Sequence, residues 1–284
     1  PLDQLILIQL TSEDDAYLIF ETLNTRGKDL TVPVLVKDHL TRLLRAKNKG
    51  VDAAREKWEG IRAHFDESTE EIDINRFLHH SWLSRRPYLP EKKLFKEIKR
   101  TVGKGTAQGY LNQLYADSRL YRKVLEPSSH KWKKEERQIA DSLRALVLFR
   151  VVQPVPMLLS VLRAYEGGRL SLKQTRQLLR SMENFHFQFS AVTAQRTGGG
   201  TRLMFAGGRR ALEDAGSKDK AAKVITGFVG KLRERLPSAA EFAVAFGELQ
   251  YTEENAKQRL LVRYLLMRID QSVRKHGAVD YEKM

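Results

Sequence analysis

The chain has 284 residues, 42% of them hydrophobic and 30% charged, which supports a sizeable core and excludes a disordered polyelectrolyte. It has no cysteine, which excludes disulfides and thiolate metal sites and fits a cytoplasmic location, and its greasiest stretch, 145–162, is too interrupted by Arg150, Gln153, Pro154 and Pro156 to span a bilayer. The formal net charge of +15 favours a polyanionic partner, nucleic acid before a membrane surface.

Leu5 to Leu10 is rich in Ile and Leu and too short for a helix, so it is expected to be a buried strand. A lone strand needs partners, and this one reads as the remnant of a sheet. Ser12 caps a helix with Glu13, Asp14 and Asp15 in its first turn and Ala16, Ile19, Phe20 and Leu23 on its apolar face. A polar turn follows. Gly27 there can take a positive φ, and Asn24 tolerates the left-handed region. Thr31 caps the next helix, with Pro33 in its first turn. Asn24, Arg26 and Gly27 thus place an amide, a guanidinium and backbone N–H groups beside a helix N-terminus, which suits a phosphate. The structural alternative is a tight connection in which Asn24 and Arg26 bond carbonyls.

From there the apolar period predicts helices almost throughout. Val34, Leu35, Leu40, Leu43 and Leu44 carry the first, which runs toward Gly50. Others are expected over 52–65, 72–83 and 107–125, and over 91–101 behind Pro90. A long helix over 133–152 is expected to end or kink at Pro154. Helices over 155–165, 171–187, 201–215, 218–236, 238–246 and 253–276 complete the chain, with a loop at Gly198 to Gly200. No fixed repeat is present, so a solenoid is excluded.

The basic excess is concentrated, with 15 Lys and Arg against 6 Asp and Glu between Arg85 and Arg137. Lys92, Lys96, Lys99 and Arg100 recur at three- and four-residue intervals on one helical face, with Lys93 and Lys104 nearby. Such a face contacts the phosphates of double-stranded DNA without reading its sequence. The other reading is a solvated face that serves solubility. The run Phe185-His186-Phe187-Gln188-Phe189 either stacks bases beside Arg196 and Arg202 or closes the core end of a helix. No Walker phosphate loop and no H-E-x-x-H occurs, and His79 and His80 are neighbours on a helix pointing in different directions. No catalytic residue or metal ligand is assigned.

Phe20-Glu21-Thr22-Leu23-Asn24-Thr25-Arg26-Gly27-Lys28-Asp29-Leu30-Thr31, followed by Leu35-Val36-Lys37, resembles the F-x-x-L-N-x-R-G-x-x-L-(S/T) signature of the ParB-like DGQQR family. GmrSD-type modification-dependent restriction enzymes and SspE-like phage-defence proteins belong to that family. The resemblance implies a D-G-Q-Q-R nucleotide motif upstream of Pro1 and an E-H-I-x-P motif of an HNH nuclease domain downstream of Met284. Residues 1–48 would be the C-terminal end of the ParB-like domain, and 49–284 a helical middle domain. The expected fold is all-α, a multi-helix bundle with one N-terminal β-strand.

By the same resemblance, the chain is the central part of an NTP-dependent, modification-sensing DNA endonuclease of prokaryotic antiviral defence. Asn24, Arg26 and Gly27 would serve its nucleotide or phosphate site. NTP and a divalent metal are implied for the parent, with neither held by this segment. The segment alone is expected to hydrolyse neither nucleotide nor DNA. Its partners would be double-stranded DNA, including modified DNA, and nucleotide through the upstream part, with no membrane. The alternative from another class is a non-catalytic helical nucleic-acid-binding or scaffold module.

Overall fold

The computed structural model describes residues 31–44, 50–69, 71–195 and 198–273. Among these the chain is all-helical, with no strand. Its α-helices are α1 (Val32–Leu44), α2 (Gly50–Asp66), α3 (Ile74–Leu83), α4 (Leu94–Thr101), α5 (Ala107–Leu125) and α6 (Arg137–Leu148), then α7 (Val155–Glu166), α8 (Leu172–His186), α9 (Gly199–Asp214), α10 (Lys218–Glu234), α11 (Ala239–Gly247) and α12 (Ala256–Val273). The expected strand at Leu5 to Leu10 and the turn residues Asn24, Arg26 and Gly27 lie outside the described residues.

Local chemistry sets the helix ends. The Asp73 carboxylate accepts from the Asn75 N–H at 2.8 Å and starts α3. Ser171 with Gln174, and Ser238 with Glu241, form reciprocal capping boxes that start α8 and α11. α7 stops where Gly168 takes φ +69°, so that the Arg169 N–H reaches back to the Ala164 carbonyl at 2.8 Å.

Three boundaries differ from the sequence reading. α6 ends at Leu148, several residues before Pro154, because Arg150 adopts φ 55° and the Val151 N–H closes on the Leu146 carbonyl. This is the left-handed stop that glycine usually makes, here carried by an arginine. Pro154 instead precedes the first turn of α7. Gly199 and Gly200, expected in a loop, form the first turn of α9. α8 runs on into a π-helix, Phe187–Val192.

α5 is the central strut. Its buried Tyr110, Leu111, Leu114, Leu120, Tyr121 and Val124 pack among α1, α2, α3, α6 and α7. Burying each large side chain contributes ~1.5–3 kcal/mol. Phe65, Phe77 and Tyr121 meet edge to face, with centroids 5.0–6.0 Å apart. The core continues through α7 and α8 to α9 and α10, where the Phe228 ring lies against Gly208 with no room for a Cβ. Val36, Leu40 and Leu44 of α1 belong to this same core.

A smaller cluster joins Ala145, Val192, Leu261 and Tyr264 beneath the π-helix, α11 and α12. Its polar centre is Glu183, fully buried on α8. Glu183 accepts from Ser142 Oγ at 2.7 Å, from Arg180 at 2.8 Å, from Arg268 at 2.5 Å and from the Tyr264 hydroxyl. One carboxylate therefore ties α6 and α12 to α8. Tyr264 is pushed above its ordinary pKa by burial and by that carboxylate.

Candidate nucleic-acid interface

The sequence-predicted basic face is built on a short helix with a firm underside. Pro90 precedes a 3₁₀ turn, Glu91–Lys93, which leads directly into α4. Leu94 and Ile98 are fully buried, and Val102 follows them into the core. Phe95 meets the His39 ring of α1 edge-on, with centroids 6.3 Å apart, and His39 Nε2 donates to the Val102 carbonyl at 3.0 Å. Burial lowers the His39 pKa, so this ring is neutral near pH 7. The apolar i, i+4, i+8 stripe thus fixes which side of α4 faces water.

Lys92, Lys93, Lys96, Lys99, Arg100 and Lys104 all lie on that exposed side. They are not equally available. Arg100 is engaged by Glu97 through two hydrogen bonds, one of them 3.0 Å from Nε. Those bonds hold the Glu97 carboxyl below its ordinary pKa. Lys99 lies close enough to His39 to act on its charge. Lys92, Lys93, Lys96 and Lys104 make no ion pair among the described residues and carry the free charge of the face.

Much of the remaining basic excess between Arg85 and Arg137 is spent internally. Arg122 bonds Glu67 at 2.6 Å and Glu126 at 3.3 Å, and Lys123 bonds Glu166 at 2.6 Å. Arg85 forks onto Asp117 at 2.8 and 3.2 Å. Asp117 is completely buried and also accepts from Ser81 Oγ at 2.8 Å and from Arg163 at 3.0 Å. Arg86 stacks between the Trp82 and Tyr110 rings, 4.4 and 5.4 Å from their centroids. These contacts and the His79 Nε2 bond to the Leu89 carbonyl, 2.7 Å, hold the loop that delivers Pro90.

One surface aromatic escaped the sequence reading. Tyr88 is 58% exposed, and the Arg202 guanidinium lies 5.3 Å over its ring. The signal available was its place between the Arg85-Arg86 pair and the lysines. The aromatic run at 185–189 behaves as core. Phe185 and His186 are fully buried, Phe189 stacks on Phe185 at 4.9 Å, and Phe187 packs against Phe149, Phe242 and Tyr264. Arg202 points instead to Tyr88, and Arg196 lies outside the described residues.

Among the described residues no three His, Asp or Glu side chains converge as for a metal ion. No helix there is long and apolar enough to cross a membrane. Comparison of the chain with family models, with curated proteins and with solved structures gives no match.

Proposed function

We propose that this chain is the central, DNA-facing part of an NTP-dependent, modification-sensing endonuclease of prokaryotic defence, working in the cytoplasm. The observation that carries the DNA-facing half is the α4 surface. Lys92 and Lys93 of the 3₁₀ turn, Lys96 of α4 and Lys104 just past it are solvent-exposed and make no ion pair among the described residues, and the other side of α4 is locked by Leu94, Ile98 and Val102. Ammonium groups carried on a fixed backbone contact phosphates independently of base sequence. The enzymatic half rests on the resemblance of Phe20 to Thr31 to the restriction-family signature, in which Asn24, Arg26 and Gly27 would meet the nucleotide or phosphate.

A scaffold role is favoured by a different observation. Leu266, Ile269 and Val273 are more than half exposed and, at i, i+3 and i+7, share one face of α12, an apolar stripe of the kind that partners cover.

The test is duplex binding by the 284-residue chain across a salt series. Four phosphate contacts predict a log–log slope of about −3 to −4. Binding that does not vary with salt would remove the α4 face from the reading. Nuclease and NTPase assays on the parent protein, with modified and unmodified DNA, separate the enzyme from the scaffold.

A further inference from the structure

The arginines behind the α3–α4 loop outnumber their acids. Arg85, Arg163, Arg169 and Arg209 gather around Asp117 and Glu213. Arg163 is fully committed. Its Nε and one terminal nitrogen bond Asp117, that same nitrogen also reaches Ser84 Oγ at 2.8 Å, and the other bonds Glu213 at 2.7 Å. Arg169 donates to the Leu212 carbonyl at 3.2 Å and shares Glu213 at 3.9 Å.

Arg209, one helical turn before Glu213 on α9, is different. It is only 5% exposed, yet it makes no hydrogen bond and no ion pair among the described residues. Its nitrogens are not sealed in, because they keep contact with solvent while the rest of the side chain is covered. Glu213 and Asp214 favour its charge, and Arg163 and Arg210 oppose it. A mostly covered guanidinium whose fork of donors meets only solvent is open to a counter-anion that uses both arms at once. Planar forks of this kind match phosphate oxygens two at a time.

We propose that Arg209, at the α7–α9 contact near Arg163, binds a phosphate-type oxyanion. The site uses other helices than the α4 face and stands independently of the DNA reading. The anion is a phosphate group, carried either by a small molecule or by a nucleic-acid backbone.

The experiment is thermal unfolding of the full chain with inorganic phosphate, with a nucleoside triphosphate, and with a short DNA duplex. It is run on the wild type, on Arg209→Met and on Arg209→Lys. At a hundredfold excess over its dissociation constant, phosphate should raise the wild-type midpoint by about 5 °C. Arg209→Met should lose that rise and melt no lower than the wild type in phosphate-free buffer, since a poorly compensated charge has been removed. Arg209→Lys keeps the charge but not the fork and should bind about tenfold more weakly. The general stabilising effect of phosphate salts acts on all three proteins alike. A wild-type midpoint unmoved by any of the three probes, or equal shifts in the wild type and Arg209→Met, overturns the proposal. If the triphosphate protects at lower concentration than the duplex, the anion is a small molecule's. The reverse order assigns it to a nucleic-acid backbone.

Discussion

Two buried histidines should make this protein sensitive to mild acid. His186 is fully buried on α8, stacked on Phe205 at 5.5 Å, with Ser190 Oγ near Nδ1 at 3.3 Å and, among the described residues, no partner for Nε2. Burial lowers its pKa to about 4. His80 is bonded to the Tyr121 hydroxyl at 3.0 Å and is lowered to about 3, chiefly by burial. In the unfolded chain both titrate near ~6.5. The native pKa lies below the unfolded one, so protons bind preferentially to the unfolded state as pH falls. The stabilisation is complete above pH ~6.5 and is lost progressively toward the native values. At pH 5 each histidine then costs about 2 kcal/mol relative to neutral pH, or about 4 kcal/mol together, a large share of a typical domain's stability. His39, His64 and His130, all lowered by burial, add in the same direction. The assay is urea unfolding at pH 7.5 and pH 5 for the wild type and for His186→Phe, whose ring keeps the stack on Phe205. The variant should lose about 2 kcal/mol of the pH dependence. Equal stability at both pH values, or an unchanged pH slope in the variant, would refute the reasoning.

Glu183→Ala should destabilise by about 3–5 kcal/mol, because Arg268 and the Tyr264 hydroxyl are left without their shared acceptor; equilibrium unfolding reads this directly. Gly208→Ala should cost about 1–3 kcal/mol, since the new methyl meets the Phe228 ring that packs α10 onto α9; an unchanged thermal midpoint would deny that packing. On the basic face, Lys92→Glu with Lys96→Glu should weaken duplex binding uniformly across sequences and flatten the salt slope by about 2. Arg100→Ala should do less, because Glu97 already neutralises Arg100; a larger loss from Arg100→Ala than from the lysine pair would reverse that assignment.

The helical character of the chain and most of its element positions were written in residues that act locally. Apolar residues at three- and four-residue spacing placed α2, α3 and α5, and Ser171, Ser238 and Gly168 marked ends through groups within a few positions of themselves. The basic face was legible for the same reason, since Leu94 and Ile98 mark the opposite side of the same short helix. What the sequence could not decide depends on residues distant in the chain. Glycine is the expected left-handed stop, so nothing local announced that Arg150 would end α6 ahead of Pro154. Charge counting treated the lysines and arginines of 85–137 alike. Only tertiary packing brought Glu67 to Arg122, Glu166 to Lys123, and Asp117 to Arg85 and Arg163, while Lys92, Lys93, Lys96 and Lys104 make no ion pair among the described residues. The burial of Arg209 without a partner was equally invisible. A guanidinium is solvated or desolvated by what packs over it, and on α9 that depends on the contact with α7.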